Sequence, residues 1–128
     1  MKANKKRLVL IAEDERPMER LLVEEFGKTG LDIEVARDGA DALALALRTH
    51  PDIILLDIVM PKMDGLTMLK KLREDAWGKN VPVILLTNFG DTDKIVEATK
   101  SGAYGYLLKS SWDVSDVVKK VQEALNSH

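Results

Sequence analysis

The sequence predicts an α/β fold in which an open parallel sheet is covered by helices on both faces. Short apolar runs recur along the chain: RLVLIA (7–12), DIEVA (32–36), IILLD (53–57), VPVILLT (81–87) and GYLLK (105–109). Three of them are nearly continuous rather than alternating, the pattern of strands buried on both faces. Between the runs lie stretches of helical spacing, so a β-α unit repeats five times. Such alternation implies parallel strands joined by right-handed crossovers. Five units are too few for an eight-stranded barrel, which leaves an open, doubly wound sheet.

After the first run, Met18, Leu21, Leu22 and Phe26 share one helical face, with Pro17 suited to the first turn and Gly30 to the exit. DIEVA is a weaker strand. Residues 40–47 then form a compact Ala/Leu helix with Asp38 as its candidate cap. IILLD ends at Asp57, and Asp64 and Gly65 shape the turn into a third helix marked by Leu66, Leu69 and Leu72. VPVILLT precedes the faintest helix, 93–100, whose only apolar residues are Ile95, Val96 and Ala98. GYLLK precedes the clearest one, in which Val114, Val117, Val118, Val121 and Leu125 follow i, i+3, i+4, i+7, i+11. No linker, repeat or low-complexity segment interrupts the series. One domain is expected over 1–128, with 1–6 a flexible basic tail.

The bulk properties agree. The chain has 128 residues, 45% hydrophobic and 31% charged, which suits a folded domain with a solvated surface. A net charge of -2 argues against direct nucleic-acid binding, which favours strongly basic domains. There is no cysteine, hence no disulfide or thiol chemistry. No apolar run approaches the roughly 18 residues of a membrane span, and no signal-peptide pattern opens the chain. A cytoplasmic location is expected.

Open parallel sheets carry their sites at the carboxyl ends of the strands. There the first run ends in Glu13 and Asp14, followed by Glu15; the third ends in Asp57, the fourth in Thr87 and Asn88, and the fifth in Lys109. Taken singly, each has an ordinary explanation as a loop acid, a cap or a surface charge. Together they converge on one shallow pocket. Clustered carboxylates repel unless a cation intervenes, and partly hydrated oxygen ligands suit Mg²⁺ (or Mn²⁺). A carboxylate beside such a metal can attack phosphorus and form an acyl phosphate, with Lys109 and Thr87 holding the phosphoryl oxygens. Asp57 is thus placed to be phosphorylated.

IAEDE, LLDIVMPKMDG, ILLT and AYGYLLK, in this order, resemble the signature blocks of the two-component response-regulator receiver domain over roughly 7–125. The resemblance implies a flavodoxin-like (βα)5 sheet of strand order 2-1-3-4-5. It also implies that Asp57 takes a phosphoryl group from the phosphohistidine of a sensor histidine kinase or phosphotransfer protein. Glu13 and Asp14 would hold Mg²⁺ with Asp57 and the Val59 backbone carbonyl; most members have two aspartates at the Glu13-Asp14 pair. Thr87, Asn88 and Lys109 would bind the phosphoryl group. Thr87 and Tyr106 would form a switch that changes the partner preference of the face built from the fourth helix, fifth strand and fifth helix. The partner would be an effector protein or a separate output domain, none being visible in the sequence. The chain would be no enzyme toward external substrates.

Two departures from the family pattern carry expectations. Lys109-Ser110 stands where Lys-Pro is usual; a cis bond before a non-proline costs about 2.5–4 kcal/mol, so a trans bond is expected, with Ser110 or Ser111 capping the last helix. By the same resemblance the residues two after Asp57 and two after Thr87, here Val59 and Phe89, would flank the approach of the hydrolytic water; neither can orient it, and a long-lived acyl phosphate is expected. Three other readings compete with this one. A phosphatase or phosphotransferase with an Asp nucleophile would need an acid/base two residues on, where Val59 stands. An FMN carrier would need a Ser/Thr/Gly-rich first loop, where EDER stands. A non-phosphorylated docking module would not need Asp57, Thr87 and Lys109. Trp77 and Trp112 read as partial core or surface residues, Tyr104 as edge packing, and His50 and His128 as residues without partners. No exposed apolar seam is evident, which favours a monomer.

Overall fold

The computed structural model describes residues 6–88, 90–110 and 113–127. Ten elements alternate along the chain: β1 (Leu8–Ala12), α1 (Arg16–Phe26), β2 (Asp32–Ala36), α2 (Gly39–Thr49), β3 (Ile53–Asp57), α3 (Gly65–Arg73), β4 (Val83–Thr87), α4 (Thr92–Lys100), β5 (Gly105–Leu108) and α5 (Val114–Ser127). The strands form one parallel sheet in the order β2-β1-β3-β4-β5. This is the doubly wound fold expected from the sequence.

Successive side chains of a strand point to opposite faces, and here each face has its own helical cover. Leu10, Ile54, Leu56, Val83 and Leu85 pack with Ala42 and Ala46 of α2, Met68, Leu69 and Leu72 of α3 and Ala98 of α4. Val9, Ile11, Ile53, Leu55, Ile84 and Leu86 pack with Leu22 and Phe26 of α1 and with Val117, Val121 and Leu125 of α5. Each fully buried Leu, Ile or Phe contributes about 1.5–3 kcal/mol relative to exposure. The three central strands are therefore buried along almost their whole length, whereas β2 and β5, on the edges, are only partly buried.

The helix boundaries follow local chemistry. Asp38 caps α2 by accepting from the Asp41 amide at 2.8 Å, and Asp64 caps α3 through the Thr67 amide at 2.8 Å. Gly65 is required by close approach, since a Cβ there would lie 2.2 Å from the carbonyl oxygen of Asp57. Pro17 occupies the first turn of α1 as expected. That helix ends at Phe26 with Gly27 as its cap, while Gly30 takes φ 82° in the turn toward β2. Leu21 is 53% exposed: Met18, Leu22 and Phe26 lie on the i, i+4, i+8 line that meets the sheet, and Leu21 lies beside it.

Three expectations are corrected or bounded. The Lys109–Ser110 bond is trans as expected; Ser111 lies outside the described residues, and the cap expected of Ser110 or Ser111 is made among the described residues by Asp113. Its Oδ1 accepts from the amides of Ser115 (3.0 Å) and Asp116 (3.2 Å), while Asp116 Oδ2 accepts from the Asp113 amide (3.2 Å), a reciprocal box. A carboxylate is the better acceptor at the positive end of a helix. His50 does have a partner. It ends α2 in the left-handed region at φ 50°, which lays its imidazole on the Trp77 indole with centroids 4.2 Å apart and planes within 6°. Phe89, Trp112, His128 and the tail residues 1–5 lie outside the described residues.

Candidate functional site

Four strand ends deliver the site, and the sheet ladder continues one residue past three of them. The Glu13 amide donates to the Ala36 carbonyl (3.0 Å), that of Ile58 to Leu86 (3.1 Å) and that of Lys109 to Thr87 (2.7 Å). The backbone of Glu13, Ile58 and Lys109 is therefore fixed by the sheet itself, not by a mobile loop. Strand order reverses between β1 and β3, and the crevice this leaves is where Glu13 and Asp57 meet.

Asp57 is only 2% exposed. Its Oδ2 accepts from Lys109 Nζ at 2.8 Å and its Oδ1 from the Val59 amide at 3.2 Å. The same ammonium lies 3.1 Å from Glu15 Oε1 and 3.3 Å from Glu13 Oε1, so one cation serves three carboxylates. Burial alone would lower the Lys109 pKa, yet the hydrogen bond to Asp57 and the charges of Asp57 and Glu13 outweigh it and hold the ammonium protonated well above the usual lysine range. Glu13 is fully buried. Desolvation first, and then the neighbouring Asp57 carboxylate, push its pKa from 4.5 to about 7.

Glu13 Oε2 accepts from the Glu15 amide at 3.1 Å, whereas its buried Oε1 has no hydrogen-bond partner among the described residues: the contact with Lys109 lacks hydrogen-bonding alignment. A buried carboxylate oxygen left in that state beside a second carboxylate calls for a proton or a cation. Oxygens of Glu13, Glu15 and Asp57 lie within 4.8 Å of one another. An all-oxygen set with one unsatisfied member fits a hard divalent cation such as Mg²⁺.

The structure thus brings together Glu13, Asp57 and Lys109 as the sequence led us to expect. Asp14 is exposed and stands outside that group, because the chain turns toward α1 after Glu13 and carries it outward. Glu15 joins in its place. The sequence places Glu15 beside the Glu13-Asp14 pair but gives it no role, since an acid just before a helix ordinarily reads as a cap; the Glu15 side chain makes no capping bond. Val59 exposes its side chain and offers its amide to Asp57. Thr87 is buried and donates its hydroxyl to Asp91 Oδ2 at 3.0 Å, and the Asn88 amide donates to the same oxygen at 3.2 Å. Tyr106 is 47% exposed and borders a groove of about 300 Å³ with Ile95, Val96 and Leu108.

Comparison with known proteins agrees with this architecture. Residues 9–122 match the sequence model described as the response regulator receiver domain. The chain is 38% identical over 117 residues to the regulatory protein AtoC of Escherichia coli and 34% identical over 117 residues to the DNA-binding dual master transcriptional regulator RpaA of Synechocystis. Both alignments cover 91% of this chain but only 25% and 48% of those proteins, so the chain spans at most about half of either relative. RpaA, by its name, binds DNA. The net charge of -2 speaks for these 128 residues alone and cannot exclude nucleic acid for a longer regulator, so that exclusion is withdrawn. Among solved structures, the chemotaxis response regulator CheY4 of Vibrio cholerae superposes with a TM-score of 0.85 at 28% identity, covering 93% of this chain and 98% of that one. The receiver domain of the Francisella response regulator 1452 does so with 0.85 at 32%, covering 95% and 98%. No helix among the described residues is long and apolar enough to cross a membrane. The family's general function is signalling by phosphorylation, and its members bind Mg²⁺ through acidic residues, for which this chain has a matching acidic cluster. With its fold, its strand-end cluster and its matching sequence in agreement, the chain belongs to the response regulator receiver domain family.

Proposed function

We propose that Asp57 is the phosphoacceptor and that a sensor histidine kinase or phosphotransfer protein is the donor. The observation that carries this reading is the buried Asp57 carboxylate at a strand end, held by Lys109 at 2.8 Å beside a glutamate oxygen with no hydrogen-bond partner among the described residues. One Asp57 oxygen attacks phosphorus; the new P–O bond forms as the P–N bond of phosphohistidine breaks and the imidazole leaves with the electron pair. Glu13, Asp57 and the Val59 carbonyl would hold Mg²⁺, with Asp14 or Glu15 reaching it through water. Bound there, the metal supplies positive charge to the carboxylates and to the incoming phosphoryl oxygens. Lys109 turns from Asp57 to a phosphoryl oxygen, and Thr87 and Asn88 supply further donors.

The phosphoryl group adds negative charge and new acceptors to the strand ends. Thr87 moves toward it, Tyr106 swings inward, and the α4-β5-α5 face shifts its preference among effectors, as a population shift between two states. Chemistry is confined to the chain's own phosphorylation and dephosphorylation, in a cytoplasmic setting. With Mg²⁺, acetyl phosphate should add the mass of one phosphoryl group to the wild type and none to Asp57→Ala, and beryllofluoride should bind only the former. Modification that survives Asp57→Ala, or Asp57-dependent turnover of a phosphoester, overturns the assignment.

A further inference from the structure

Asp91 immediately precedes α4, in the position from which an aspartate ordinarily accepts the amides of the first helical turn. It makes no such bond. Its Oδ2 is taken instead by the Thr87 hydroxyl (3.0 Å) and the Asn88 amide (3.2 Å). The Thr87 hydroxyl is buried and has a single proton, so while it donates to Asp91 it cannot donate to anything else.

We infer that Asp91 is a positioning residue which holds Thr87 in the resting state and opposes the phosphorylated one. The inference rests on Asp57 as phosphoacceptor and Thr87 as phosphoryl ligand. Two anionic acceptors, the Asp91 carboxylate and the phosphoryl group on Asp57, compete for one proton. When the phosphoryl group takes it, Asp91 loses its hydroxyl donor, and its carboxylate becomes available to the first-turn amides of α4 at Asp93 and Lys94. Asp91 also borders the groove occupied by Tyr106, Ile95 and Val96, so the exchange is felt at the start of α4, beside the surface that changes partner. The Ile95 amide already donates to the Asp91 carbonyl at 3.0 Å, and Asp91 stands at φ -86°, ψ 31° rather than in the extended conformation of the capping Asp38 and Asp64, so capping α4 requires its ψ to turn along with the side chain.

The test is a titration of the full chain with beryllofluoride at saturating Mg²⁺, followed by amide NMR. Asp91→Ala should bind roughly tenfold tighter than wild type, the worth of one hydrogen bond to a charged acceptor. The gain should vanish in a Thr87→Ala background, which has no hydroxyl to release, and persist in Thr87→Ser, which has one. In wild type the Asp93 and Lys94 amides should shift and gain exchange protection on binding, and in Asp91→Ala they should not. Affinity unchanged or weakened in Asp91→Ala overturns the inference. So does a gain that persists in Thr87→Ala, which would mean simple charge repulsion. Should Thr87→Ala bind too weakly to titrate, the Asp93 and Lys94 amides decide, and an equal response in wild type and Asp91→Ala overturns it. Binding that survives Asp57→Ala would instead strike the phosphoacceptor reading and is read separately.

Discussion

Glu13 carries the tension of the site. In the folded chain its carboxyl holds a proton up to about pH 7, whereas unfolded it ionises near 4.5. The folded state therefore binds more protons between those values, and stability falls as pH rises through that window before levelling off above it. Glu13→Gln has no proton to lose. The melting temperature of wild type relative to Glu13→Gln should drop by about 5–10 °C between pH 4.5 and 8, as scanning calorimetry would read. Because the metal needs the ionised carboxylate, stabilisation by Mg²⁺ should grow over pH 6 to 8 in wild type and stay flat in Glu13→Gln. A flat wild-type difference would show that neither burial nor the neighbouring Asp57 raises the Glu13 carboxyl. The second residue-scale expectation concerns lifetime. Val59 is 54% exposed and cannot orient water, and Phe89 follows the strand that ends at Thr87. Replacing them together, Val59→Asn with Phe89→Glu, should speed loss of phosphate about tenfold or more, measured by following acyl-phosphate decay. Decay no faster than wild type would remove them as determinants.

At the scale of elements, Arg73 is the tie that sequence reading passed over. From the last turn of α3 its guanidinium donates to the carbonyls of Gly78 (2.7 Å) and Val81 (2.8 Å) before β4, and to those of Ser101 (2.9 Å) and Gly102 (2.9 Å) after α4. Arg73→Ala should cost about 2–4 kcal/mol in urea unfolding, since it strands carbonyls in two connections. Arg73→Lys should recover only part, because an ammonium lacks the planar fork. Strands were legible because burial on two faces writes itself as a continuous apolar run, and DIEVA and IILLD match β2 and β3 residue for residue. What stayed hidden depends on contacts between distant positions. His50, just past α2, pairs with Trp77 in the turn that follows α3, and Arg73 reaches carbonyls that carry no side-chain signature. Glu15 and Asp91 both stand where an acid reads as a helix cap; Glu15 is drawn away by distant Lys109, and Asp91 by Thr87, only four residues back. The departure from Lys-Pro points to the serines as caps of α5, whereas a carboxylate closer to the helix, Asp113, fills the role.

For the whole molecule, the open question of self-association turns on the groove beside Tyr106. Its apolar rim is larger than the sequence pattern suggested, yet Tyr106, Val96 and their neighbours form a small patch. Light scattering coupled to size-exclusion chromatography should give a monomer with and without beryllofluoride. A doubled mass with the phosphate mimic would show signalling by dimerisation. The strand order has another consequence, for how the chain is made. β1 emerges from the ribosome first but lies between β2 and β3, with both edges covered only when Ile53 to Asp57 has arrived. At about 5–20 residues per second, Val9, Leu10 and Ile11 wait seconds for their second partner. During that wait β1 offers a bare apolar edge, the kind of surface that chaperones bind and that nucleates aggregation. Nascent chains arrested at the end of α2 should therefore be insoluble, while those extended past β3 should begin to resist protease.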